Sequence, residues 1–346
     1  MTVPSKLISI CIPAYNRARH LRSLLDSVFE QDFKDFEIVI CEDCSPEREA
    51  IGKIVAEYQR LYPGFLRYFE NEKNLGYDGN LRELVSKACG RFCFFMGNDD
   101  IMCPQALRHT ADLIGRYDNL GVILKSYSWF RGTPDRVVQT VHYFAEEKYL
   151  SPGVEAISVC FRRSGVISGY IVDREEAQKA ATTLFDGSLY YQMHLTAFAL
   201  TNKAAVATPK VLVLCRDGEA PEFGNSESEA EKYTPGRYTP EARLSMMSGA
   251  LSIVRALKER AGIDIVEPVM RDYANYFYLC IRDQLNLPLG KYFKMCRSFS
   301  RLGFYRYPSF YFYCVAGYLL GQDRCDALIK RARSVMRSSP RWGTAR

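Results

Sequence analysis

The sequence predicts an α/β fold with a mostly parallel central sheet, followed by a helical C-terminal extension. Three observations carry this. Apolar runs of strand length alternate with helical periodicity, giving β-α-β-α-β-α-β before residue 100. The last run, Cys93-Phe94-Phe95-Met96, is continuously apolar, as a strand covered on both faces is, and it leads into Gly97-Asn98-Asp99-Asp100. From Thr239 onward the pattern is helical.

Taken in order, Leu7-Ile8-Ser9-Ile10-Cys11-Ile12 is the first strand. It ends at Pro13-Ala14-Tyr15-Asn16, which places a ring and an amide at the carboxyl edge of the sheet. Leu21, Leu24, Leu25 and Val28 then recur at helical spacing. Phe36-Glu37-Ile38-Val39-Ile40-Cys41 is the second strand, ending at Glu42-Asp43-Cys44-Ser45-Pro46, with a helix over 47–61 behind it. Leu66 to Glu70 is a short third strand. A polar loop over 71–79 contains Asn74-Leu75-Gly76, and a helix from Asn80 to Ala88 leads into the acidic strand. A further helix is expected over 104–116. Short connections and parallel crossovers put the four strand ends on one edge, where open α/β sheets hold ligands.

Two adjacent carboxylates at a strand end repel each other unless a cation sits between them. A divalent metal held by one or two carboxylates and a substrate's phosphates resolves that repulsion. The other reading of Asp99 and Asp100 is that they cap the helix that follows, since Asp is a favoured N-cap. The glycine fingerprint of a dinucleotide fold is missing after the first strand, and no Walker A lysine loop is present.

Composition narrows the classes. The 346 residues, 47% hydrophobic and 25% charged, are ordinary for a globular chain with ample core. The 12 cysteines are scattered through apolar runs without a regular framework, which favours reduced thiols. Cys41 and Cys44 have metal-like spacing, but no second pair and no suitable histidine follows. No apolar leader segment follows Met1, and no run is long enough to span a bilayer. Charge is uneven. From Gln284 to the end there are 12 lysines and arginines against two acids, Asp323 and Asp326. That is a net of +10, which leaves −4 for residues 1–283 of a chain of net +6. A basic tail on a weakly acidic body points to an anionic surface as partner.

Pro13-Ala14-Tyr15-Asn16-Arg17, Glu42-Asp43-Cys44-Ser45, Asn74-Leu75-Gly76, Asn80 and Asn98-Asp99-Asp100, in this order, resemble the family-2 glycosyltransferases of the GT-A fold over residues 6–115. The resemblance implies a nucleotide-diphosphate sugar donor. Pro13, Ala14, Tyr15, Asn16, Arg17, Asp43, Asn74, Asn80, Asn98 and Asp99 would then form its binding site. Tyr15 would stack on the base, Asp43 would accept from its ring N–H, and Asn80 and Asp99 would line ribose and sugar. Asp100, with Asp99 beside it, would hold Mg²⁺ or Mn²⁺ against the pyrophosphate, neutralising charge on the leaving group. One departure is Gly97, where the family's acidic motif often has another Asp.

The second departure lies in the acceptor half. Val166 to Val172 reads as a strand with a helix from Asp173, and Leu184-Phe185-Asp186-Gly187-Ser188-Leu189-Tyr190-Tyr191-Gln192-Met193-His194 follows. Many members carry Glu-Asp here, the Asp being the general base. Gln192-Met193 stands in that place, and Gln cannot take a proton. Asp186 and His194 are the nearest candidates. An Asp in a partly dry site is a reasonable base, but Asp-Gly is also a common turn pair. His194 has a suitable pKa, but is equally a helix residue facing core or solvent. Gly187 to Gln192, together with Gly97 to Asp100, is similar to a bacterial subgroup that adds sugars, including 3,6-dideoxyhexoses such as abequose, to lipid-linked O-antigen units. That would imply a CDP-linked donor. The alternatives are a UDP-hexosyl or N-acetylhexosaminyl transferase, and a catalytically weak nucleotide-sugar-binding scaffold.

Ala204 to Leu214 reads as a pair of short apolar segments ending at Cys215-Arg216-Asp217-Gly218. Arg216 either approaches the pyrophosphate or is a surface charge. Residues 219–240 read as a loop able to cover the donor. Helices are expected over 242–261, 267–286 and 289–303. On the last, Lys291, Lys294, Arg297 and Arg301 share one third of the wheel, with aromatics on another face. A basic amphipathic helix beside aromatics reads as membrane-surface binding; the alternative is a helix packed on the body with solvated lysines. No nucleic-acid-binding motif accompanies the basic residues. The expected organisation is a catalytic domain over 1–225 and a helical region over 226–346. The expected acceptor is a glycan or lipid-linked oligosaccharide, and the expected location is cytoplasmic, peripheral on the inner face of the cytoplasmic membrane.

Overall fold

The computed structural model describes residues 6–335; residues 336–346, with the tail's Arg337, Arg341 and Arg346, lie outside them. The first half alternates as its periodicity dictates: β1 (Lys6–Ala14), α1 (Ala18–Phe29), β2 (Phe36–Glu42), α2 (Arg48–Leu61), β3 (Leu66–Glu70), α3 (Gly76–Lys87) and β4 (Gly90–Phe95). The four apolar residues of α1 that repeat at helical spacing are all fully buried, each stabilising the fold by roughly 2 kcal/mol. The α3 helix starts four residues earlier than its sequence suggests, because side chains from other elements receive its first N–H groups.

The remainder is β5 (Ile101–Met102), α4 (Ala106–Arg116), β6 (Leu120–Phe130), β7 (Val137–Val141), β8 (Lys148–Leu150), α5 (Val154–Arg163), β9 (Tyr170–Asp173), α6 (Arg174–Lys179), α7 (Tyr191–Ala199) and β10 (Ala204–Arg216), then α8 (Pro240–Ala261), α9 (Val266–Asn275), α10 (Tyr278–Ile281), α11 (Leu289–Arg301) and α12 (Pro308–Val335). The sheet order is β3-β2-β1-β4-β9-β6-β10-β5, with β7 on β6 and β8 on β10. Strands β1 to β4 pair in parallel. Beyond them the sheet is mixed, because β9 runs antiparallel to both β4 and β6.

Three expected elements differ in extent. Residues 204–216 form one bulged strand rather than two segments. The strand near 166 begins only at Tyr170, its first residues being a loop that crosses the sheet edge. The helix expected over 267–286 breaks after Asn275 and continues as α10 and a 3-10 turn, Arg282–Gln284. The α8 helix opens on Thr239, whose hydroxyl accepts from Ala242 N at 3.1 Å, and closes at Gly262 in the left-handed region. The α12 helix is kinked at Gly321. One continuous apolar core runs from β1 and β2 through α7 to Phe277, Phe299 and Phe310 of the C-terminal helices.

Candidate active site

The ends of β1, β2 and β4 and the start of α3 converge on a pocket of about 420 Å³. Pro13, Tyr15, Arg17, Asp43, Asn74, Asn80, Asn98, Asp99 and Asp100 all line it. Ala14 O accepts from Asp43 N at 2.9 Å, and Asn16 O accepts from the Asn98 amide at 2.8 Å while the Asn16 amide donates to Glu222 at 3.2 Å. Asn16 and Arg17 both take left-handed φ values, 53° and 60°. That turn aims the Arg17 guanidinium at Asp99, 2.7 Å away.

After β2, the buried Glu42 carboxylate accepts from Cys44 N and Ser45 N and pairs with Arg48, fixing the turn that presents Asp43. Asp43 accepts from Leu75 N at 2.8 Å, Gly76 N at 3.0 Å and the Asn71 amide at 2.8 Å. It thereby caps α3 from a neighbouring strand. Two of these donors reach Oδ1 and one reaches Oδ2, so a lone pair on Oδ2 is left for a ligand. Burial pushes this carboxyl up to about 6, against those hydrogen bonds. Asn80 donates to Cys41 O at 3.1 Å and accepts from Asn71, so it ties α3 to β2 within the pocket wall. Gly76 (φ 77°) must be glycine, because a Cβ there would lie 2.4 Å from the Ser226 hydroxyl.

At the end of β4, Asp99 is held by Arg17 and Asp100 by two donors. Asp100 accepts from Arg216 N at 2.6 Å and from the Ser168 hydroxyl. Burial and then the neighbouring Asp99 push the Asp100 carboxyl upward. Gly97 donates from its N to Ser168 Oγ at 2.8 Å, and a Cβ at residue 97 would fall 3.0 Å from Asp100 and 3.1 Å from Ser168. Ser168 thus fills the space that a side chain at 97 would need, which accounts for the glycine in this acidic motif. Asp99 and Asp100 offer hard carboxylate oxygens with lone pairs to spare, a donor set suited to Mg²⁺ or Mn²⁺ with a diphosphate. Among the described residues no group of three or more His, Cys, Asp or Glu forms a closed metal site.

Neither base candidate reaches this pocket. Asp186 is clamped by Arg82 at 2.5 and 2.9 Å, as the turn reading allows, one guanidinium N–H on each oxygen. His194 is 1% exposed and donates from Nε2 to Ala180 O at 2.7 Å. Burial pulls its pKa down to about 4, so it is a neutral core residue among Phe185 and Phe198. Gln192 donates to Gly165 O at 3.0 Å, and its Oε1 has no partner among the described residues.

Other pocket residues come from parts of the chain with weaker signals. Ser168 belongs to the Gly165–Gly169 loop, marked in sequence only by its two glycines. Arg216, at the end of β10, donates from Nε to Asp99 O at 3.1 Å, which settles its position at the acid pair rather than at a remote surface. Residues 219–238 run along the opening, with Glu219, Glu222, Phe223, Glu229 and Tyr238 in the wall. Beneath the pocket, Lys125 of β6 is 1% exposed and donates to Val166 O at 2.6 Å, holding the Gly165–Gly169 loop.

A sheet of this order, with a strand-end pocket and paired acids after β4, defines the GT-A class of glycosyltransferase folds. Two solved structures share that fold: TarS 1-349 of S. aureus with UDP-GlcNAc, and the mannosyltransferase PcManGT of Pyrobaculum calidifontis with GDP-Man and Mn²⁺. The first has a TM-score of 0.58 at 17% identity, covering 84% of this chain and 79% of that one. The second has a TM-score of 0.52 at 14% identity, covering 98% and 83%. Residues 9–170, just under half of the chain, match the model of Glycosyl transferase family 2. Among curated relatives, abequosyltransferase RfbV of Salmonella typhimurium is 34% identical over 101 residues, 29% of this chain and 30% of its own length. The match thus spans under a third of that relative.

Proposed function

We propose that this protein transfers a sugar from a nucleoside-diphosphate donor to a hydroxyl of a glycan, in a metal-dependent reaction of O-antigen or cell-surface polysaccharide synthesis. The observation that carries the reading is the convergence of Tyr15, Asp43, Asn80, Asp99 and Asp100 in one pocket. Tyr15 offers a ring face to the base, and the Asp43 Oδ2 offers an acceptor to it. Asn80 and Asp99 border ribose and sugar, and Arg17 and Arg216 place guanidinium charge where the diphosphate lies. A divalent cation held by Asp99 and Asp100 supplies Lewis-acid stabilisation of the departing nucleoside diphosphate.

Similarity to abequosyltransferase RfbV supports a CDP-3,6-dideoxyhexose donor; likeness to TarS with UDP-GlcNAc supports a UDP donor instead. A binding-only scaffold is favoured by one observation, the amide of Gln192 where an acid is expected. The acceptor is read as a lipid-linked glycan met at the inner face of the cytoplasmic membrane. In support, Lys291, Lys294, Arg297 and Arg301 are exposed on α11 beside Leu289 and Phe293, while Phe312, Val315 and Leu319 form an exposed apolar row on α12. No helix among the described residues is long and apolar enough to cross a membrane.

The test is thermal stabilisation of the full chain by UDP, CDP, GDP and dTDP, each with and without Mn²⁺, since a ligand that binds the native state stabilises it by mass action. A shift selective for one nucleotide and enhanced by Mn²⁺ is expected. No shift with any of them, or with intact nucleotide sugars, would overturn the donor site. A shift without transfer in single-turnover assays with the matching sugar donor would leave the scaffold.

A further inference from the structure

A second cleft, of about 680 Å³, adjoins the donor pocket and shares Trp129, Gly165 and Val166 with it. It lies between the sheet and the C-terminal helices. Five arginines line it: Arg131, Arg162, Arg163, Arg243 and Arg282. Four carboxylates pair with them. Asp217 holds Arg131, Asp283 holds Arg243, and Asp326 holds Arg282 at 2.6 Å. The fourth, Asp272, serves two guanidinium groups at once, Arg162 at 2.6 Å and Arg163 at 3.6 Å.

That sharing leaves one buried positive charge unbalanced. Arg163 is 5% exposed; it donates to Val159 O at 2.7 Å, and its Nε has no partner among the described residues. Arg243 Nε and the Gln139 amide nitrogen, both in the same wall, are also buried without partners. All three are donors, so among the described residues the cleft holds more donors and positive charge than its carboxylates meet. Burying a guanidinium without a full counter-charge is costly, and a ligand anion would repay it with charge-assisted hydrogen bonds. Aromatic faces stand beside the same groups: Arg162 lies over the Tyr276 ring at 4.6 Å and Arg163 over Tyr143 at 5.9 Å. The arginine pair is joined directly to the shared wall, since Gly165 N donates to Arg162 O at 3.2 Å.

We propose that this cleft is the acceptor subsite and that it selects an acceptor bearing an anionic group, phosphoryl or carboxylate, held by the Arg162 and Arg163 pair while a sugar hydroxyl faces the donor at Trp129, Gly165 and Val166. The inference rests on the transferase reading and adds the charge class of the acceptor to it. A neutral glycan would leave the surplus guanidinium unpaired.

The experiment measures binding of glucose 1-phosphate, glucuronate and glucose to the full chain saturated with its preferred nucleoside diphosphate and Mg²⁺, so that the donor pocket is filled. At least one charged sugar is expected to bind about tenfold more tightly than glucose. Preference for glucose 1-phosphate assigns a phosphoryl group, and preference for glucuronate a carboxylate. Arg163→Gln should lower that affinity about tenfold and Arg163→Lys less, with nucleotide affinity changed by less than about twofold. If Arg163→Gln does not fold, the wild-type affinity for the charged sugar must still fall steeply with added salt. Equal binding of glucose, binding only when nucleotide is absent, or a salt-independent affinity would overturn the proposal. Failure of the nucleotides themselves to bind would instead strike at the donor site, so the two failures are distinguishable.

Discussion

Up to Asp100, the pocket residues fall between the carboxyl end of a strand and the first two turns of the helix that follows it. From Leu120 onward, pocket and cleft residues include the carboxyl ends of β6 and β10, but also the last turn of α5, the first turns of α8, the broken stretch after α9 and the far part of α12. In the first region one side chain commonly does two tasks: Asp43 caps α3 and faces the ligand. In the second region charges are set against each other in pairs, and function is left to whatever the pairing does not balance. A parallel β-α unit delivers its chemistry at a fixed point in the chain, so the sites are short motifs in sequence. A cleft between helices draws single residues from distant turns, and no local pattern announces it.

The largest effect that would sharpen this comparison concerns the joint between the regions. Asp78 of α3 is 1% exposed and accepts from Leu189 N and Tyr191 N, both at 2.9 Å, at the start of α7. Asp78→Ala strands two buried N–H groups and should cost about 3 kcal/mol of unfolding free energy, read by urea denaturation. Burial raises the Asp78 carboxyl to about 7, so the folded state holds its proton more tightly than the unfolded chain does. Its stabilising contribution is full below the unfolded value of 3.8 and declines as pH rises toward 7. Asp78→Asn should flatten that part of the pH–stability curve, and an unchanged slope would assign it elsewhere.

A smaller effect separates donor bases. Asp43 titrates near 6. Uracil donates its ring N–H and needs the carboxylate, so UDP affinity should fall as pH drops through 6. Cytosine's N3 is an acceptor and is served by the protonated acid, so CDP affinity should hold or rise over the same range. Titration calorimetry at pH 5 and 7.5 would show about tenfold opposed changes, one pK unit being about 1.4 kcal/mol; parallel pH dependence would remove Asp43 from base recognition.

The smallest effect is expected at Asp186. The Arg82 pair is partly exposed, and Asp186→Asn should cost about 1 kcal/mol of stability with turnover changed by less than about threefold. A loss of about a hundredfold in turnover would return Asp186 to the role of base.

The strands and acids of the first region were legible because their burial is two-sided and their motifs contiguous. Even there, the start of α3 was missed: Leu75 and Gly76 look like loop residues until Asp43 is seen to receive their N–H groups. Leu120–Phe130 is a buried eleven-residue strand whose apolar run is broken by Lys125, a residue tolerated inside only because its ammonium reaches Val166 O. Asp186 and His194 drew attention by residue type, yet ion pairing and aromatic burial, both long-range, decided their chemistry. The arginines of the second cleft gave no signal at all, since the charge surplus appears only when Asp272 is seen to serve two of them.

The central claim is that Asp99 and Asp100 hold a cation against a bound diphosphate. Its most direct test is titration of the preferred nucleoside diphosphate into wild type and Asp100→Asn, each in Mn²⁺ and in EDTA. In wild type, affinity should fall at least about tenfold without metal, and Asp100→Asn should bind weakly and equally under both conditions. Wild-type affinity that is the same with Mn²⁺ and EDTA, or an Asp100→Asn variant with undiminished metal dependence, would contradict it.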